Sequence, residues 1–137
     1  LSFLLDTHVV SEIRKTRGDA NVVRWYSDLR DEELNLSVLV VGEVSQGIER
    51  LRRRGDFEQA QVFDFWLSAL QEQFRERLLP ISTPIAERWG KLNAVKPLPP
   101  IDGLMAATAI EHDLTLVTRD TASLTGCGVR LLDPWLA

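Results

Sequence analysis

Apolar residues recur along the chain in two rhythms: short solid runs suited to buried strands, and stripes spaced three or four residues apart suited to helices. Residues 2–6 read as a first strand. Val9 to Lys15 reads as a short helix closed by Gly18, and Asn21 to Leu29 as a second helix carrying Trp25. The acidic cluster Asp31, Glu32, Glu33 reads as a solvated turn before a strand at Leu34 to Ser37. Ser37 is placed to cap a helix through Arg53 that carries the stripe Val40, Val44, Ile48 and Leu51, and Gly55 ends it.

A long amphipathic helix is expected over Asp56 to Leu78. Its face of Phe63, Leu67, Leu70 and Phe74 is widened by Val62, Phe65 and Trp66, which predicts a partner surface beside the core face. Leu79 to Ile81 reads as a strand, and Thr83 with Pro84 as the start of a helix reaching Val95. Pro97, Pro99 and Pro100 break the chain before a helix over Ile101 to His112. The small residues Ala106 to Ala109 suit that helix to close packing on a sheet. Strands at Thr115 to Thr118 and Val129 to Leu132 complete the series. Strands alternating with helices predict an α/β fold: a three-layer α/β/α sandwich with a short parallel sheet.

Composition narrows the class without naming it. The 137 residues suit one domain, and 45% hydrophobic with 26% charged residues is the balance of a globular protein. A formal charge of -4 gives no general basic field, so contact with nucleic acid must come from a local patch. Cys127 is the one cysteine, which excludes an internal disulfide. Neither a signal peptide nor a membrane span is read, and the expectation is a cytoplasmic protein with no membrane partner.

The predicted topology gives four carboxylates a common address. Asp6 closes the first strand, Glu43 lies in the second turn of the helix after the second strand, Asp102 opens the helix before the fourth, and Asp120 follows that strand. In a parallel sheet these positions converge on the carboxyl edge, where ligands bind. Each acid also has an ordinary structural explanation. Asp6 can cap a helix, Asp102 can favour a helix dipole, and Asp120 can make an Asx-turn. Glu43 flanks the apolar stripe beside Gly47, which leaves room for an approaching group. Crowded carboxylates repel, and a divalent cation resolves the repulsion. Oxygen donors without a Cys or His cluster favour Mg²⁺ or Mn²⁺, and the matching chemistry is phosphodiester hydrolysis.

The segments LLDTHVVSE, VVGEVSQGIERL, IDGLMAATAIEHDLTLVTRD and GVRLLDPW, in this order and spacing, resemble the PIN-domain ribonucleases, in particular the VapC-type toxins of toxin–antitoxin pairs. The resemblance implies a single PIN-like domain over residues 1–137, an acidic Mg²⁺ or Mn²⁺ site, an RNA substrate, a homodimer, and a cognate antitoxin that inserts a segment near the site. By motif position Asp6, Glu43 and Asp102 match the metal-binding acids, and Asp120 supplies the fourth. Two positions depart from the pattern. His8 stands where such toxins often carry Asn, and Ser123 stands where they often carry a further acid.

Thr7 and Thr118, beside the acids, are candidates to orient water or are strand-end residues only. Arg50, foremost of the cluster Arg50, Arg52, Arg53 and Arg54, and Arg119 are candidates for phosphate contact. Arg14, Lys15 and Arg17 add to the field or are surface; the tryptophans Trp25, Trp66, Trp89 and Trp135 default mostly to the core, with Trp66 the candidate for a dimer or antitoxin surface.

Three other readings compete. A metal-free ribonuclease would pair His8 with His112, yet the topology puts them at opposite edges of the sheet. A phospho-accepting receiver would want a lysine after a late strand, and only Lys15, Lys91 and Lys96 exist. A non-catalytic PIN-like module that binds RNA or protein would keep the fold without the chemistry.

Overall fold

The computed structural model describes residues 1–137. Five strands, β1 (Phe3–Leu5), β2 (Leu34–Ser37), β3 (Leu78–Leu79), β4 (Thr115–Val117) and β5 (Arg130–Leu132), form one sheet in the order β3-β2-β1-β4-β5. Every pairing is parallel. Phe3 stands opposite both Leu34 and Thr115, so β1 is central and its three residues are buried. A strand covered on both faces needs a solid apolar run rather than an alternating one, which Phe3-Leu4-Leu5 provides.

Seven helices connect the strands: α1 (Thr7–Arg14), α2 (Ala20–Ser27), α3 (Val38–Arg53), α4 (Phe57–Gln73), α5 (Thr83–Val95), α6 (Pro100–Glu111) and α7 (Thr121–Leu124). From β1 through β2 to β3 the chain steps in one direction across the sheet, then crosses back over β1 to β4. Right-handed crossovers therefore put α1–α4 on one face and α5–α7 on the other, giving the expected three layers. The reversal falls between β1 and β4, the position at which open α/β sheets bind ligands.

Local signals set most boundaries. Ser37 caps α3 by accepting the Leu39 N–H at 3.0 Å, and Gly55, at φ +84°, turns the chain out of that helix in the left-handed region. Gly103 lets α5 and α6 approach closely, because a Cβ there would lie 2.9 Å from Cδ1 of Trp89. Met105 to Ala109 are all buried along the same helix.

Several boundaries differ from expectation. Helix α1 begins at Thr7 rather than Val9 because Asp6 caps it, and Lys15, not Gly18, ends it. Ser82 rather than Thr83 caps α5, accepting from the Ile85 N–H at 3.4 Å. The acidic cluster folds into a 3-10 turn, and α2 stops at Ser27. Helix α4 stops at Gln73, five residues early, and a 3-10 turn at Arg75–Arg77 leads into the shortened β3. The Arg77 guanidinium caps that end. It donates to the carbonyls of Gln73, Asp31 and Leu34, satisfying a helix end and tying it to the approach to β2.

Candidate active site

The four acids found in the sequence line one cavity of about 140 Å³ at the carboxyl edge, together with Thr7, His8 and Thr118. The β1–β4 ladder delivers Asp6 there, since its N–H continues the pairing by donating to the Val117 carbonyl at 3.1 Å. Its carboxylate is divided between two tasks. Oδ1 accepts the Val9 N–H at 3.1 Å and caps α1, while Oδ2 accepts the Thr118 hydroxyl at 2.6 Å. The cap and the site are thus one residue.

Thr118 is 2% exposed, and its oxygen also accepts the Asp120 N–H at 3.1 Å. On the opposite wall the Thr7 hydroxyl donates to Oε1 of Glu43, joining the first turn of α1 to the second turn of α3. Asp120 accepts the Ser123 hydroxyl at 2.9 Å. Ser123 therefore does not replace the missing acid in the cavity. It holds the carboxylate that does line it.

Asp102, in the first turn of α6, carries the electrostatic strain of the cavity. Burial raises its pKa above the ordinary aspartate value, and the charges of Asp120, Glu43 and Asp6 raise it further, against a small opposing effect of His8. Burial and three neighbouring carboxylates thus act together against its ionisation.

Oxygen donors in excess of positive charge are the chemistry that suits a hard divalent cation, and Asp6, Glu43, Asp102 and Asp120 are the residues able to supply it. Their spacing is wider than their number suggests: no group of three or more Asp, Glu, His or Cys side chains is gathered tightly enough to hold one ion as they stand. Three of the four, Asp6, Glu43 and Asp120, are each tied by a hydroxyl, from Thr118, Thr7 and Ser123.

The other candidates separate. Arg50 is exposed and lines neither this cavity nor the spaces beside it, whereas Arg52 bridges Glu49 and Asp64 and Arg53 pairs with Glu49. Of that basic cluster Arg52 braces α3 against α4, and Arg53 pairs within α3. Arg14 is not surface: its guanidinium lies over the rings of Phe63, at 4.3 Å, and Trp66. Gly47 borders open space beside Glu43, as its size suggested. His112 ends α6.

Arg119 lies in a wider groove of about 520 Å³ that shares His8 and Asp120 with the acid cavity and adds Ser11, Glu12, Lys15 and Trp135. Trp135, expected in the core, packs partly against it and also lines this groove, which the sequence reading did not foresee. The Asp133-Pro134 pair before it was the available signal, since Asp133 caps a closing 3-10 turn. In the same groove Glu12 is held below its usual pKa by the Lys15 ammonium and the Asp19 N–H, with Lys15 and Arg119 adding favourable charge.

A parallel α/β sheet with carboxylates gathered at its topological switch defines the class, and the chain belongs to the PIN domain family, which it matches over residues 3–124. Within that family it is 31% identical to Toxin FitB of Neisseria gonorrhoeae, covering 96% of this chain and 97% of that protein. It is likewise 31% identical to the VapC ribonuclease Y4jK of Sinorhizobium fredii, covering 96% of each. The crystal structure of FitAcB from Neisseria gonorrhoeae superposes with a TM-score of 0.89 at 31% identity, over 98% of this chain and 99% of that one.

Proposed function

We propose that this chain is an endoribonuclease toxin that hydrolyses RNA phosphodiester bonds with Mg²⁺ or Mn²⁺ and is neutralised by a cognate antitoxin. The observation that carries the reading is the convergence of Asp6, Glu43, Asp102 and Asp120, from four separate segments, on one cavity at the switch point. Whole-length similarity to a FitB toxin and a VapC ribonuclease supports the same activity. Residues 1–137 then act as one PIN-like domain in the cytoplasm. No helix is long and apolar enough to cross a membrane.

In this reading Asp6, Glu43, Asp102 and Asp120 would hold the cation by drawing closer around it than they stand. Bound there, it would supply an activated water and neutralise charge on the phosphodiester. Thr118 and Thr7 fix the carboxylates of Asp6 and Glu43, so their lone pairs are aimed before substrate arrives. Water attacks phosphorus and the 3′ oxygen leaves, giving a 5′-phosphate. Phe57, Val62 and Phe65 are exposed on α4 and supply an apolar face for the homodimer or the antitoxin.

Incubation of RNA with Mn²⁺ or Mg²⁺ tests the activity. Cleavage with 5′-phosphate ends, abolished by EDTA and by Asp6→Asn, is the expected result. Activity that survives both treatments, or a cyclic phosphate product, would sink it. The wide spacing of the carboxylates favours one rival, the non-catalytic PIN-like module that binds RNA or protein. That rival predicts no gain in melting temperature on titration with Mn²⁺, where the nuclease predicts a clear one.

A further inference from the structure

The groove beside the acid cavity has no task in the chemistry above, yet it shares a wall with it. His8 and Asp120 line both spaces, and Arg119 is bonded in sequence to Thr118 on one side and Asp120 on the other. Its volume, about 520 Å³, falls within the range of about 300–1,000 Å³ usual for small-ligand sites.

Its charges nearly cancel. Lys15 is paired with Glu12 at 2.9 Å, and Arg119 faces the carboxylates of Glu12 and Asp120. Such a surface is a poor trough for a chain of phosphates. What it offers instead is an exposed arginine backed by an aromatic ring, because the Arg119 guanidinium lies over the Trp135 ring at 4.7 Å from its centroid. Arginine planes and indole rings are the surfaces on which unpaired bases stack, and hydroxyl and imidazole groups such as those of Ser11 and His8 can bond to base edges.

The backbone that carries the ring is anchored. The Trp135 backbone N–H donates to the Asp133 carboxylate at 2.9 Å, and the Trp135 backbone carbonyl accepts the Asn21 side-chain amide at 2.7 Å, so the last turn is pinned to α2. A turn anchored in this way loses little backbone freedom on binding.

We propose that the Arg119–Trp135 pair is a base-stacking subsite that receives the nucleotide next to the scissile phosphate and sets the base preference of cleavage. This rests on the endoribonuclease reading for its second half only, since stacking itself requires no chemistry.

The test measures two things. First, a fluorescein-labelled single-stranded RNA of about eight nucleotides is titrated by anisotropy in EDTA, where no cleavage takes place. Trp135→Ala and Arg119→Ala are each expected to weaken binding about tenfold, and Trp135→Phe to retain most of it. Arg119 is exposed, so its variant tests the pair at small cost to the fold. Second, an RNA pool of mixed sequence is cut in Mn²⁺ and the ends are sequenced. Wild-type protein is expected to prefer one base beside the cut, and Trp135→Ala to lose that preference while still cutting.

Unchanged RNA affinity in both alanine variants, or no RNA binding by the wild type, overturns the proposal. Loss of a co-expressed antitoxin with unchanged RNA binding would do the same by giving the groove to a protein. Binding that depends on Trp135 in a wild type unable to cut RNA would leave the stacking subsite standing and remove the nuclease.

Discussion

The Thr118 hydroxyl donates to Asp6 at 2.6 Å, across 112 positions of sequence, while the same oxygen accepts the Asp120 N–H. One buried hydroxyl therefore fixes two of the four acids. Thr118→Val preserves shape and removes the bridge, leaving a carboxylate oxygen and a backbone N–H without their partner. The expected cost is about 1–3 kcal/mol by chemical denaturation, with RNA cleavage falling far below wild type. Thr118→Ser keeps the hydroxyl and should recover most of both.

Asp102 links the cavity to pH. Its folded-state pKa is raised, so the folded protein binds the proton more tightly than the unfolded chain. The stabilisation is fully present below the ordinary aspartate pKa and is lost as pH rises through the raised value. In EDTA, melting temperatures of wild type and Asp102→Asn measured from about pH 4 to about pH 8 should diverge. The variant gains by a few degrees at neutral pH and loses its advantage in acid. Equal curves at every pH would show that neither burial nor the neighbouring carboxylates oppose the ionisation of Asp102.

Ser123 and Asp120 are separable by mutation. Ser123→Ala removes one partly exposed hydrogen bond and should change stability by no more than about 0.5 kcal/mol, with a modest loss of cleavage. Asp120→Asn removes a charge that lines the cavity and should abolish most activity. If the two variants lose activity equally, the carboxylate of Asp120 is not what the site uses.

Gly103 connects core packing with the site, since it is adjacent to Asp102 and lies under Trp89. Gly103→Ala forces the indole or α6 to move, which costs about 1–3 kcal/mol. Better helix propensity returns up to about 1 kcal/mol. A net loss of order 1 kcal/mol in urea unfolding is expected, with reduced cleavage from a displaced Asp102.

Much of this architecture is legible in the sequence because its signals are local. The solid run of β1, the cap at Ser37, the exit at Gly55 and the prolines before α6 each act within a few residues. Four acids at element ends then need only the topology to bring them together. Where the sequence misleads, the deciding contact is distant. The end of α4 is capped by Arg77, which also reaches carbonyls of Asp31 and Leu34, more than forty positions away, a contact that no periodicity encodes. The partnership of Thr7 with Glu43 is hidden for the same reason, and so is the return of Trp135 to the mouth of the site. Ser123 misled differently. Its position suggested a lost ligand, whereas its hydroxyl supports the acid three residues earlier.

The reversal of strand order between β1 and β4 also has a consequence in time. The first strand is made well before its partner on the site side, which begins at Thr115, and Asp120 lies beyond that partner. Bringing the two together closes a loop of more than a hundred residues. A growing chain therefore carries Asp6 and Glu43 without the wall that unites them until β4 and Asp120 have been added.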